Sequence, residues 1–213
     1  MTKKTDRPPS SGRPPSSDRP KVYLAGPEVF LRNAVEAGAA KVELCARHGL
    51  EGKYPLDAQL DLGDLALAER AYAIARANEG LIGNCDALIA NLTPFRGPGA
   101  DTGTAYEVGY ARGRGIPVFG YSNHHLSFFE RVRKFDPKPL KHRAGSEPTM
   151  AFEDSDRMGV EQFGLAENLM VIGAIHESGG SIVVGRTKRR DRYTDLAAFE
   201  DCVKQVAALL VQK

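Results

Sequence analysis

Asp101 and Glu107 are the residues of this chain whose type and spacing best suit chemistry. They lie in ALIANLTPFRGPGADTGTAYEVGYARGR (Ala87–Arg114), an apolar run followed by a Gly/Pro-rich loop and a helical pattern. In an open α/β sheet, ligands bind outside the carboxyl ends of the strands, so both carboxylates face whatever binds there. An ionised carboxylate can attack an electrophilic carbon while a second acid protonates a leaving group. A structural reading competes with this one. Thr104-x-x-Glu107 matches a capping box, and Asp101 can satisfy loop N–H groups. With Glu107 in the first turn of the helix, the helix dipole is expected to keep it ionised.

Other candidates are weaker singly. Asp57 and Gln59 lie in YPLDAQLDL, where an amide can donate and accept hydrogen bonds toward a planar heterocycle. Tyr23 sits inside an apolar run, whose ordinary fate is core packing. Asn78 falls on a helix, and Asn168 and Met170 open the segment ENLMVIGAI. LAGPEVF lacks the GxGxxG fingerprint, no GxxxxGK[ST] occurs, and Gly97, Gly99 and Gly103 fit neither pattern. Neither nicotinamide nor ATP chemistry is supported. Cys45, Cys85 and Cys202 are widely spaced and read as buried reduced thiols, not as a disulfide framework or zinc site. His124-His125 has no Cys or carboxylate at ligand spacing, so no metal is expected. Lys188, Arg189 and Arg190 read as a solvated turn.

The elements that must position these residues follow from pattern. Lys21–Pro27 reads as a buried strand, Val29–His48 as a helix stopped by Gly49, Leu50–Pro55 as a weaker strand and Asp64–Gly83 as a helix. Ala87–Leu92 and Ile116–Tyr121 are further strands flanking a helix over Thr104–Arg114, with Gly115 as its stop. Ser122–Leu165, rich in Pro, Gly and charge, shows no sustained period and is expected to be a long functional or disordered loop. Glu167–His176 (helix), Ser181–Gly185 (strand) and Asp195–Gln212 (helix) complete the chain. This alternation predicts an α/β fold: a doubly wound, mostly parallel five-stranded sheet in a flavodoxin-like, Rossmann-like three-layer sandwich.

The 213 residues fit one domain over 21–213, preceded by a Pro/Ser-rich tail, 1–20, expected to be disordered. Formal charge is +2, and the tail contributes Lys3, Lys4, Arg7, Arg13 and Arg19 against Asp6 and Asp18. The rest is near neutral, which gives no electrostatic footprint for nucleic acid. No apolar run approaches a membrane span, and the N-terminus lacks a signal-peptide core, so a cytoplasmic protein with a small-molecule partner is expected.

Taken together, VYLAGPEVF, YPLDAQ, CDALIANL, DTGTAYEVGYA and FGLAENLM resemble the nucleoside 2-deoxyribosyltransferase family, from Val22 to about Gly185. The resemblance implies that Glu107 is the nucleophile, Asp101 the base-site aspartate and Tyr23 the first-strand tyrosine beside the nucleophile. It places Ala25, Gly26, Phe30, Asp57, Gln59, Asn78 and Gly103 around the substrate. Asn168 and Met170 match a segment that enters a neighbouring subunit's site, implying a homo-oligomer. Some family members have an aspartate where Asn78 aligns, which shifts protonation of the base toward Asp101. The implied activity is exchange of nucleobases on a 2′-deoxynucleoside, in a purine-salvage type of reaction, through a covalent deoxyribosyl-glutamate and without cofactor. Two alternatives use the same residues: an N-glycosidase in which water intercepts the intermediate, and a nucleoside-binding module without catalysis. Related nucleotide hydrolases carry a phosphate-binding loop that is not evident here.

Overall fold

The computed structural model describes residues 19–57 and 60–211. Five parallel strands form the central sheet: β1 (Lys21–Ala25), β2 (Glu51–Lys53), β3 (Ala87–Asn91), β4 (Val118–Ser122) and, last in the chain, β8 (Ile182–Val184). Their order is β2-β1-β3-β4-β8, the expected doubly wound arrangement. The chain leaves β1 for β2 on one side and later enters β3 on the other, so the winding reverses between β1 and β3. Strands buried on both faces need apolar residues at nearly every position, as KVYLA and ALIAN supply.

Strand alternation then sorts side chains between two cores. Val22 and Leu24 face α1 (Ala34–Arg47) and α6 (Ala197–Leu210), packing with Leu44, Cys45, Phe199, Cys202 and Val203. Tyr23 and Ala25 point the other way, toward α2 (Leu67–Gly83), α3 (Thr102–Gly113) and α5 (Leu169–Glu177), with Ile82, Val108 and Ile175. This period of two puts the Tyr23 hydroxyl on the α3 side of the sheet. All three cysteines are buried free thiols. Gly49 and Gly115 take positive φ, 78° and 74°, just beyond α1 and α3, as helix-stop glycines do. Among the described residues, no helix is long and apolar enough to cross a membrane.

Three expectations are corrected. The helix predicted from Val29 begins at Ala34, because Pro27–Phe30 forms a separate 3-10 turn. The 122–165 stretch is not a structureless loop. It contains α4 (Phe128–Phe135) and a small antiparallel sheet of β5 (Lys141–His142), β6 (Phe152–Glu153) and β7 (Gly159–Val160). The signal for α4 was present: Ser127 and Glu130 form a capping box, with Glu130 accepting from Ser127 N–H at 2.9 Å.

The third correction concerns α3. Asp101, not Thr104, is its N-cap, and Asp101 Oδ2 accepts from Thr104 N–H at 2.9 Å and Thr104 Oγ1 at 3.1 Å. Asp ranks above Thr as a cap, and here it takes the role three residues earlier than predicted. Glu107 becomes the sixth helical residue, beyond the first turn, where the dipole has little hold on it.

Candidate active site

Tyr23, from the centre of β1, donates its hydroxyl to Glu107 Oε1 at 2.7 Å. The bond joins residues 84 apart in sequence, so only the sheet's alternation and the seating of α3 create it. Glu107 Oε2 has no hydrogen-bond partner among the described residues. Burial pushes the Glu107 carboxyl up from 4.5 to about 7; the Tyr23 hydroxyl opposes this by favouring the anion, and the nearby charge of Asp101 adds to it. The Tyr23 hydroxyl is itself driven far above its ordinary range, first by burial and then by Glu107, so it remains a proton donor.

A cavity of about 350 Å³ opens over Glu107 between α2 and α3. Ile74, Ala75 and Ile82 make its apolar side; Asn78, Glu79, Gly103 and Tyr106 add polar and backbone surface. Such a size and lining fit a small, largely apolar ring with a few hydrogen-bonding edges. Tyr106 donates to Glu79 Oε1 across the mouth. Glu79 and Tyr106 escaped sequence reasoning because their juxtaposition depends on how two helices meet. Asp101 stands at the head of α3, with Oδ2 used by the cap and Oδ1 unpartnered among the described residues. Gly103 lies against it: a Cβ there would come within 3.0 Å of Asp101 Oδ2.

The β1 exit is fixed by a buried polar cluster. Glu28 pairs with Lys41 and accepts from Asn91 Nδ2 and Tyr121 Oη, each at 2.9 Å. Ala25 and Gly26 are buried beside it, and a Cβ on Gly26 would fall 2.1 Å from Glu28 Oε2 and 2.9 Å from Asn91 Cβ. Only glycine fits that approach. Phe30 is exposed and stacks on Phe95, centroids 5.3 Å apart, with the Arg96 guanidinium over both rings.

The other predicted residues are placed as follows. Asp57 ends the short 3-10 turn Pro55–Asp57, while its side chain, and Gln59 altogether, lie outside the described residues. Asn168 caps α5, its Oδ1 accepting from Met170 N–H at 3.0 Å and its Nδ2 donating to Glu161 at 3.1 Å. Met170 is 72% exposed and borders an apolar groove between α3 and α5 that is separate from the cavity over Glu107. Within this chain, then, Glu107, Tyr23, Asn78 and Gly103 meet, Asp101 adjoins them, and Asn168 and Met170 lie elsewhere.

Residues 22–170 match the family model described as nucleoside 2-deoxyribosyltransferase. The chain belongs to that family. It is 34% identical over 197 residues, 90% of each chain, to an uncharacterized protein of the fission yeast Schizosaccharomyces pombe. Among solved structures it is similar to a 2-deoxyribosyltransferase from Leishmania mexicana, with 27% identity, 87% of this chain and 97% of that one covered, and a TM-score of 0.57. A conserved protein from Enterococcus faecalis V583 shares the fold at 24% identity, covering 88% and 99% of the two chains, with a TM-score of 0.51. The family's matched span includes Tyr23, Asp101, Glu107, Asn168 and Met170.

Proposed function

We propose that the protein transfers 2-deoxyribose between nucleobases of 2′-deoxynucleosides by double displacement. The observation that carries the reading is the half-buried Glu107 carboxylate, held by Tyr23 at 2.7 Å and lining a cavity suited to a small ring. Glu107 Oε2 attacks C1′; the C1′–N bond breaks, and its electron pair leaves with the base, which takes a proton from Asp101. An incoming base then attacks C1′ from the vacated face, displaces Glu107 and returns a proton to Asp101. Two inversions retain configuration, as in a retaining glycosidase. Charge develops on the sugar as a cation beside Glu107, whose carboxylate stabilises it. Tyr23 favours the ionised form of the nucleophile and orients it. Asn78, an amide without a titrating proton, serves to hydrogen-bond the base, leaving proton transfer to Asp101.

The same reading makes the groove between α3 and α5 an interface with a second copy. Exposed Leu169 and Met170 beside Ala105 and Gly109 give an apolar surface whose burial a self-associating chain gains. Asn168 and Met170 then reach the neighbour's sugar from that interface.

The test is exchange between deoxyinosine and free adenine, read as deoxyadenosine by chromatography. Wild type is expected to form it and Glu107→Ala to lose it. Incubation with a 2-fluoro-substituted nucleoside followed by intact mass measurement should reveal one 2-fluoro-2-deoxyribosyl adduct per chain, which a pure binding module cannot form. Release of free deoxyribose at the full rate without acceptor base would make the protein an N-glycosidase instead.

A further inference from the structure

Two sequence features that the deoxyribosyl site leaves unused, His124-His125 and the basic run from Lys188, come together in the fold. They border a second cavity, of about 380 Å³, at the carboxyl end of β4. Its cationic side chains are Arg131, Lys134, Arg189 and Arg192, with His124 and His125, and no acidic residue lines it. Arg131 is neutralised from behind by Glu167 at 2.8 Å. Lys134, Arg189 and Arg192 have no carboxylate partner within ion-pair distance among the described residues. Burial, and then the charges of Arg131, His125, Arg192 and Lys134, hold His124 below its ordinary value.

A concave site with unmatched cations recruits an anion, and guanidinium groups suit the paired oxygens of a phosphoryl group. Buried Asn123 fixes the backbone that carries Arg192, its Nδ2 donating to the carbonyls of Arg192 and Asp195, each at 2.9 Å.

We propose that this cavity binds the phosphoryl group of a small anion, a phosphomonoester or free phosphate, at a site distinct from the one over Glu107. Its wall is physically joined to the catalytic loop. Arg131 donates to the Pro98 carbonyl at 2.6 Å and to Glu167, and Glu167 accepts from the N–H groups of Ala100 and Asn168, both at 3.0 Å. Ala100 adjoins Asp101, so the brace that holds the cavity wall also sets Asp101 and Asn168.

Isothermal titration calorimetry on the full chain tests this, with 2′-deoxyadenosine 5′-monophosphate, inorganic phosphate and deoxyadenosine titrated at constant ionic strength. The proteins are wild type, Lys134→Ala/Arg189→Ala, and Glu107→Ala; Lys134 and Arg189 are exposed, so their loss leaves the core intact. The monophosphate is expected to bind the wild type and Glu107→Ala alike and to lose roughly tenfold or more affinity in the double variant, since each removes a charge-assisted contact. Inorganic phosphate binding with the same dependence would assign the site to the free anion and keep its chemistry. Absence of binding by both phosphates at millimolar concentration would overturn the proposal. So would unchanged affinity in the double variant, or monophosphate binding that depends on Glu107, which would place that ligand in the deoxyribosyl site.

Discussion

Replacing Glu107 with Gln is expected to abolish exchange and, at alkaline pH, to make the protein more stable. The folded-state value of Glu107 is raised from 4.5 to about 7, so the folded protein holds this proton more tightly than the unfolded chain. Its contribution to stability is full below pH about 4.5, falls as pH rises toward 7, and is lost above that. A displacement of that size corresponds to about 3 kcal/mol of destabilisation at pH 8, an upper figure because water reaching the open cavity screens the charge. Gln cannot ionise, and its carbonyl can still accept the Tyr23 hydroxyl, so it escapes the penalty. Guanidinium unfolding of both proteins at pH 5 and pH 8 measures the effect. At pH 5 the two should differ little; at pH 8 the variant should gain between about 1 and 3 kcal/mol. A stability difference independent of pH would show that Glu107 titrates normally, and the account of its burial would fail.

Tyr23→Phe removes the hydroxyl that opposes burial, so Glu107 titrates still higher and the acidic limb of the kcat/KM profile should move up by roughly one to two pH units. Activity at pH 7 falls roughly tenfold and is partly restored at pH 9; loss without that recovery would deny Tyr23 its effect on the nucleophile. Gly26→Ala forces a methyl into the buried Glu28 carboxylate and Asn91, and unfolding in urea should show a loss of about 1–3 kcal/mol. Met170→Glu places a charge on the apolar groove edge. Light scattering coupled to size exclusion should show a smaller species with lost exchange activity, whereas an unchanged mass would remove the α3–α5 groove from any interface.

The sheet was legible because its signals are local and repeated. KVYLA, ALIAN and the run into Tyr121 are apolar at nearly every position, and helices alternate with them, which leaves few topologies for a parallel sheet. The small sheet of β5, β6 and β7 was not legible, since two-residue strands are too short to show a period. Its turn is held instead by Asp154, whose Oδ1 accepts from the N–H groups of Asp156 and Met158. Pairing of Tyr23 with Glu107 followed from family motifs, yet the period-two alternation of β1 already sends Tyr23 toward the α3 face. The brace from Arg131 through Glu167 to Ala100 spans 67 residues and has no local signature at all.

The charge state of Glu107 is where sequence and structure diverge most, and the divergence bears on mechanism. A helix-dipole argument needs the carboxylate in the first turn; once Asp101 is the cap, Glu107 lies past it, and desolvation by the α2 wall governs instead. Burial works in two directions. It raises the proton affinity of the resting carboxylate, so at neutral pH a sizeable fraction of molecules holds Glu107 protonated. In the proposed displacement, it also strips water from the anion and lowers the dielectric around it, which would strengthen its attraction for a cationic sugar carbon in the transition state. Tyr23 moderates the first effect without rehydrating the group. On the proposed mechanism, substrate filling the cavity would exclude more water while bringing the developing positive charge, so the ionised form would gain most at the moment of attack.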